Sequence, residues 1–282
     1  MNLNTIVFQD FEINQLVTEA LKEDLGSGDI TTNLIIKEDQ IALGKIVTRE
    51  PGNIAGIEFA RKAFEILDEH VEIENLCADG DQISPSQIIM TIKGKLRAIL
   101  SAERVALNFL QRMSGIATAT ASLVKEAGKN IRILDTRKTT PTLRKIEKYS
   151  VSKGGGVNHR YNLSDMILIK DNHIRAYSGS IDQLLTEIKQ KVCNLKVEIE
   201  INSVDQLKEV MKVGVDRVML DNMSDTEIDQ AIQIIQGRAE IEVSGNMNLE
   251  RLKNLKGKNI DFISIGALTH SYKSLDIALD ID

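Results

Sequence analysis

The sequence predicts an α/β protein, a (β/α) barrel of eight strands or fewer preceded by a smaller α+β domain. Three observations predict it. From residue 131 onward, short apolar runs alternate with helical segments at about the spacing of βαβ units. Three of the helical segments open with the same start signal, the capping boxes Ser180-x-x-Gln183, Ser203-x-x-Gln206 and Ser224-x-x-Glu227. Polar residues stand at the carboxyl end of nearly every apolar run, where a parallel barrel gathers its ligand. The last observation favours a barrel over a doubly wound open sheet, which the spacing alone also allows.

The N-terminal part, residues 1–112, has no simple repeat. Phe11 to Leu25 carries apolar residues at helical spacing and stops at Gly26. Ile41 to Arg49, Val71 to Leu76 and Ile88 to Ile92 read as strands, with turn signals at Pro51-Gly52 and Asp79-Gly80. A helix is expected over Ile57 to Leu67. Together these predict a small domain built on an antiparallel sheet. Leu96 to Met113 reads as a helix, Ser114-Gly115 as its interruption, and Ile116 to Ala127 as a second helix. The boundary is therefore placed at 112, with the barrel over 113–270.

Within the barrel the expected strands are Ile131–Leu134, Met166–Ile169, Val197–Ile201, Val215–Leu220, Ile241–Val243 and Phe262–Ile265. Thr140-Pro141 predicts a helix start directly after the first of them. Leu275 to Asp282 alternates apolar and polar residues, so the tail 271–282 is expected to return to the N-terminal sheet.

Composition excludes several classes. The formal net charge is -6 and no basic stripe is interleaved with aromatics, which argues against nucleic-acid binding. No run is long enough to span a bilayer, and the N-terminus lacks the basic start and apolar core of a signal peptide. Cys77 and Cys193 share no metal-type spacing and read as reduced thiols of a cytoplasmic protein.

Against the acidic background, residues 132–173 form a basic block. It contains Arg137-Lys138, His159-Arg160 and Lys170, with Gly154-Gly155-Gly156 between them. The glycines are expected to let the backbone bend so that His159 and Arg160 face the site. Arg137 and Arg160, with Arg104 as a further candidate, suit a carboxylated ligand because the guanidinium fork matches carboxylate geometry. Lys138 and Lys170 suit phosphate or a second carboxylate. Glu200 and Asp221 end neighbouring strands and suit Mg2+, held directly or through water. Ser244-Gly245-Asn246 and Gly266-Ala267 suit a phosphate approaching backbone N–H groups, with His270 just beyond. Cations facing carboxylates fit a polyanionic small molecule with a divalent metal. Two rivals use the same residues: a Schiff-base aldolase with Lys170 as nucleophile, and a non-catalytic anion-binding protein.

The segments EDLGSGDITT (23–32), ERVALNFLQRMSGIAT (103–118), LDTRKTTP (134–141), GGGVNHR (154–160), LIKDNH (168–173), EIE (198–200), MLDNMS (219–224), VSGN (243–246) and ISIGALTHS (263–271) together resemble the quinolinate phosphoribosyltransferase family. The resemblance runs in order through nearly the whole chain. It implies an incomplete (β/α) barrel behind a sandwich-like domain, assembled as a homodimer or larger with shared active sites. It implies that quinolinate and 5-phosphoribosyl-1-diphosphate, with Mg2+, give nicotinate mononucleotide, diphosphate and CO2, a step of NAD biosynthesis. On the matching motifs, Arg104 (from a neighbouring subunit), Arg137, His159, Arg160 and Lys170 would line the quinolinate side. Lys138, Glu200 and Asp221 would serve the phosphoribosyl diphosphate and its metal and are the expected catalytic groups; Thr139 would also bind substrate. Ser244, Gly245, Asn246, Ile265, Gly266 and Ala267 would cradle the 5-phosphate, near His270. A paralogue associated with molybdenum transport shares the fold and several motifs. One position departs from the family pattern: Thr142 stands where glycine is usual. It is expected in a first helical turn, where threonine is tolerable.

Overall fold

The computed structural model describes residues 6–192 and 194–282. Cys193 lies outside them, and Cys77 is a free thiol. In chain order the elements are α1 (Asp10–Leu25), α2 (Ile30–Ile35), β1 (Ile41–Thr48), β2 (Gly52–Asn53), α3 (Ile57–Leu67), β3 (Glu72–Asn75), β4 (Gln82–Ile83), β5 (Ile88–Lys95) and α4 (Leu96–Ala127). There follow β6 (Arg132–Leu134), α5 (Arg144–Lys153), β7 (Ile167–Ile169), α6 (Asp171–Ala176), α7 (Ile181–Lys191), β8 (Val197–Ile201) and α8 (Val204–Val213). The last are β9 (Arg217–Asp221), α9 (Asp225–Ile235), β10 (Glu240–Ser244), α10 (Leu249–Leu255), β11 (Phe262–Ser264), α11 (Ala267–His270) and β12 (Ile277–Ile281).

Two compact units emerge. The first holds the chain up to Ala121, with 145–155 and 271–282; the second holds 122–144 and 156–270. In the first unit an antiparallel sheet runs in the order β12-β1-β5-β3. The tail strand β12 pairs with β1 from Gly44↔Ile281 to Thr48↔Ile277. Helix α1 buries Ile13, Val17 and Leu21, one residue per turn, and α3 buries Phe59, Ala60, Ala63 and Phe64.

Ser114-Gly115 does not interrupt a helix: α4 runs unbroken through both residues. The small pair serves packing instead. The Ser114 hydroxyl accepts from the Ala55 amide (3.0 Å) and donates to the Ala55 carbonyl (3.2 Å). A Cβ on Gly115 would stand 2.3 Å from the Lys273 carbonyl oxygen, so glycine is what lets the tail pass this close. The boundary expected at 112 falls inside this one helix.

In the second unit six parallel strands run in the order β6-β11-β10-β9-β8-β7. An isolated parallel bridge, Leu134↔Val157, adds to the free side of β6. The result is a barrel-like sheet that β6 and β7 do not close, with helices following the strands. Ser180 and Ser224 cap α7 and α9 in reciprocal boxes. Ser203 caps α8, but Gln206 turns to the Asn202 amide instead (3.0 Å).

The helix expected at Thr140-Pro141 begins only at Arg144. Thr142 is not in a helical turn. Its φ is 69°, the left-handed region that suits glycine and strains a β-branched residue. Gly154 also has a role other than the one expected: a Cβ there would stand 2.3 Å from the Ala117 carbonyl and 2.6 Å from Thr120 Cβ. That glycine allows α5 to lie against α4. The bend falls at Gly155, whose φ is +82°.

Candidate active site

Along each strand of the second unit, alternate residues turn to the helices and to the interior. In β8, Val197, Ile199 and Ile201 are buried under helices, while Glu198 and Glu200 take the interior face. The interior residues near the strands' carboxyl ends surround a cavity of about 590 Å3, a volume suited to a small molecule. Arg137, Lys138, His159, Arg160, Lys170, Glu200, Asp221, Ser244, Gly245 and Asn246 all line it. The chain thus brings ten of the expected residues to one mouth.

One wall is cationic. Asp135, buried at the end of β6, accepts from the His159 amide (2.8 Å) and from Asn158 Nδ2 (2.7 Å). That carboxylate fixes the course of the chain into His159 and Arg160. Among the described residues, no carboxylate lies within ion-pair distance of Arg137, Lys138 or Arg160, and the buried Nε of each arginine lacks a hydrogen-bond acceptor. Burial, and then the nearby charge of Arg137, pull the Arg160 guanidinium below its ordinary value. Two desolvated cations side by side favour an anion between them.

The opposite wall is acidic. Glu200 pairs in register with Met219, and Asp221 lies one interior step further along β9. Burial raises the Glu200 carboxyl; Lys170 opposes the shift and Asp221 reinforces it. Lys170 Nζ stands 3.8 Å from Glu200 Oε2. Asp171, Glu200, Asn202 and Asp221 also border a small recess of about 50 Å3. Hard oxygen donors from adjacent strands, beside a cavity with a cationic wall, are the donor set that a hard divalent cation takes.

At the floor of the cavity His159 joins three groups absent from the expected site, Glu198, Arg217 and Glu242. His159 Nε2 is 3.2 Å from Glu198 and 3.5 Å from Glu242, and Arg217 Nη1 is 3.1 Å from Glu242 and 3.9 Å from Glu198. Burial would lower the His159 pKa, but hydrogen bonds to Glu198 and Glu242, and then their charges, push it up to about 9. The Arg160 amide donates to Nδ1 at 2.7 Å, which favours a neutral ring protonated at Nε2. His159, Glu198 and Glu242 have the spacing of a metal site. The Arg217 guanidinium already supplies the countercharge there, so the cluster is an ion-pair network and not a cation cage. Its signal in the sequence was a charge at alternate positions inside otherwise apolar parallel strands, which bury both faces.

The remaining expected residues lie outside the cavity's lining. Thr139 Oγ1 accepts from Arg144 Nε (3.0 Å) and so braces the loop after β6. Ile265 is buried and gives its amide to the Leu134 carbonyl (2.9 Å), so it has no N–H to offer a ligand. Gly266 sits where a Cβ would touch Lys138 Cδ (3.0 Å) and His270 Nε2 (3.1 Å). Ala267 opens α11, a single turn that ends at His270. Arg104 is exposed on α4 in the first unit. Leu168, Met219, Asn222, Glu242 and Ser264 line the cavity although the sequence reading left them out, and Thr136 lines it beside Arg137 at the end of β6.

Family models for the N-terminal and C-terminal domains of quinolinate phosphoribosyl transferase match residues 29–114 and 116–280. The chain belongs to the quinolinate phosphoribosyltransferase family. Among its relatives, the probable nicotinate-nucleotide pyrophosphorylase [carboxylating] of Bacillus subtilis is 40% identical over 96% of this chain and 93% of its own length. The corresponding probable enzyme of Methanocaldococcus jannaschii is also 40% identical, over 95% of this chain and 96% of its own. The solved structure of NadC from Streptococcus pyogenes superposes with a TM-score of 0.94 at 41% identity, covering 98% of both chains. The family's two-domain architecture is therefore the one built above from strand order and packing.

Proposed function

We propose that this protein transfers a phosphoribosyl group from 5-phosphoribosyl-1-diphosphate to quinolinate, with decarboxylation, yielding nicotinate mononucleotide, diphosphate and CO2. The observation that carries the reading is the pair of guanidiniums, Arg137 and Arg160, which face the cavity without a carboxylate partner across from Glu200 and Asp221. Two polyanions repel one another in a shared pocket, and such cations offset the repulsion.

Arg137, Arg160 and Lys170 bind the two quinolinate carboxylates and aim the pyridine nitrogen at the ribose C1, a positioning contribution, while His159, its ring nitrogens already engaged, holds the floor beneath them. Lys138 faces the departing diphosphate. Glu200 and Asp221 would hold Mg2+, which when bound would neutralise the diphosphate and make it a better leaving group. The same carboxylates favour the positive charge that builds at C1. The nitrogen's lone pair forms the new bond to C1 as the C1–O bond to diphosphate breaks. The ring, now cationic, retains the electron pair released when the adjacent carboxylate leaves as CO2, and a proton then takes up that pair. No side chain becomes covalently attached. The loops at Ser244–Asn246 and Gly266–Ala267 receive the 5-phosphate.

The protein acts as a homodimer or larger assembly in which Arg104 of the partner subunit completes the quinolinate side. Support comes from the surface beside Arg104. Ser101, one turn back on α4, donates to Asp29 Oδ2 (3.1 Å), and Arg97 holds the Ile36 carbonyl (2.9 Å from Nε). Helix α2 is thereby fixed along the same face, with Ile30, Leu34 and Ile35 more than two-thirds exposed. An apolar strip next to an arginine that has no ion-pair partner among the described residues suits burial against a second copy. No described helix is long and apolar enough to cross a membrane. The free Cys77 thiol accords with a cytoplasmic setting.

The test is direct. Purified protein incubated with quinolinate, 5-phosphoribosyl-1-diphosphate and Mg2+ should form nicotinate mononucleotide and release CO2, and nicotinate in place of quinolinate should not serve. No product with quinolinate would overturn the reading. Trapping of Lys170 by borohydride with a carbonyl substrate would point to the aldolase instead.

A further inference from the structure

Asn222 follows Asp221, the last residue of β9, and four features meet there. Its φ is 54°, in the left-handed region, where asparagine is one of the few tolerated side chains. Its amide N–H donates to the Ser244 carbonyl at 3.0 Å, which carries the pairing with β10 one residue past the end of β9. Its side-chain Nδ2 donates to Asp221 Oδ2 at 2.7 Å, while its Oδ1 accepts from Asn246 Nδ2 at 3.5 Å. A Cβ on Gly245 would stand 2.2 Å from Asn222 Oδ1 and 2.8 Å from its backbone nitrogen, so Gly245 and Asn222 occupy one shared space.

The amide has one usable orientation. Turned over, its oxygen would face the Asp221 carboxylate and its NH2 would face that of Asn246. As placed, it occupies one carboxylate oxygen of Asp221 and leaves the other available. From the other side, Arg251 of α10 clasps the same two loops, donating to the carbonyls of Met223 (2.5 Å) and Gly245 (3.4 Å).

We infer that Asn222 is a positioning residue that couples Asp221 to the Ser244–Asn246 loop, so that the metal-holding carboxylate and the phosphate-receiving loop are set as one piece. The inference rests on the function proposed above. Its consequence is specific to one substrate. Loss of the bridge loosens the grip on 5-phosphoribosyl-1-diphosphate with Mg2+, and leaves quinolinate, held by the cationic wall, nearly untouched.

Asn222→Gly retains the left-handed backbone and removes only the bridge, so it separates the side chain's role from strain. Calorimetric titration of 5-phosphoribosyl-1-diphosphate in the presence of Mg2+ should be run on the wild type, N222G, D221N and the double variant. N222G should bind about 10-fold more weakly, as for loss of a hydrogen bond to a charged group. It should also need more Mg2+ for half-saturation, with the KM for quinolinate and the melting temperature close to wild type. In the D221N background N222G should add less than about 2-fold, because its partner is already altered. Wild-type affinity in N222G would overturn the inference alone, and so would full additivity with D221N. A wild type that binds no 5-phosphoribosyl-1-diphosphate would bring down the functional reading with it.

Discussion

His159 and Glu198 face each other at 3.2 Å inside the barrel-like unit, the imidazole 6% exposed and the carboxylate sealed. Glu242 and Arg217 complete the cluster, so the cavity rests on a charged floor. Burial and then Glu242 raise the Glu198 carboxyl to about 7, against His159 and Arg217. Both groups therefore bind protons more tightly in the folded state than in the unfolded chain, and their stabilising contribution falls as pH rises. For Glu198 the fall spans roughly 4.5 to 7, and for His159 roughly 6.5 to 9. Urea midpoints should decline between pH 5 and pH 9 by more in the wild type than in Glu198→Gln. The His159 ring resonances of that variant should titrate well below 9. Equal slopes would show that the cluster does not govern the pH dependence.

Arg137→Lys retains the charge but loses the fork. The KM for quinolinate should rise about 10-fold or more, as expected when charge-assisted hydrogen bonds are lost, with the KM for 5-phosphoribosyl-1-diphosphate little changed. Steady-state kinetics in both substrates decides, and an unchanged quinolinate KM would remove Arg137 from that wall.

A shared site makes a sharper demand. Arg104→Ala and Arg137→Ala should each be nearly inactive, yet mixed and re-equilibrated they should recover about a quarter of the wild-type sites if the assembly is a two-fold dimer. Absence of any recovery, with mixed dimers shown by mass spectrometry, would place Arg104 outside the site.

The expected order of strands and helices in the second unit is legible in the sequence because parallel strands buried on both faces leave apolar runs, and because three serine caps mark the helices behind them. The cavity's walls are legible for a related reason: strand ends converge, so Arg137, Lys170, Glu200 and Asp221 need no long-range information to be grouped. What escaped depends on contacts between distant segments. Ser114-Gly115 looks like a helix break until Lys273 is seen lying against it. Gly154 looks like a hinge until Ala117 is seen beneath it. Glu198, Arg217 and Glu242 look like isolated charges until their strands are placed side by side.

Thr142, exposed with φ 69°, holds a conformation that glycine adopts without strain. Thr142→Gly should stabilise the protein by about 1 kcal/mol, the left-handed penalty less glycine's greater unfolded-state entropy. A lower urea midpoint in the variant would contradict this.

Gly115→Ala should act in the opposite direction. Its methyl would meet the Lys273 carbonyl at 2.3 Å, and backbone cannot step aside as a side chain can. A loss of about 1–3 kcal/mol is expected, seen as a lower melting temperature. An unchanged melting temperature would mean that the tail yields readily.

The pairing of β12 with β1 also sets an order of events during synthesis. The first strand of the antiparallel sheet is made early, but its neighbour consists of residues 277–281, so one edge of β1 stays bare until nearly all of the chain described here has emerged from the ribosome. An open strand edge is a template for pairing with other chains. For this protein β1 therefore keeps an uncovered edge throughout translation, until the tail strand returns and takes the edge place itself.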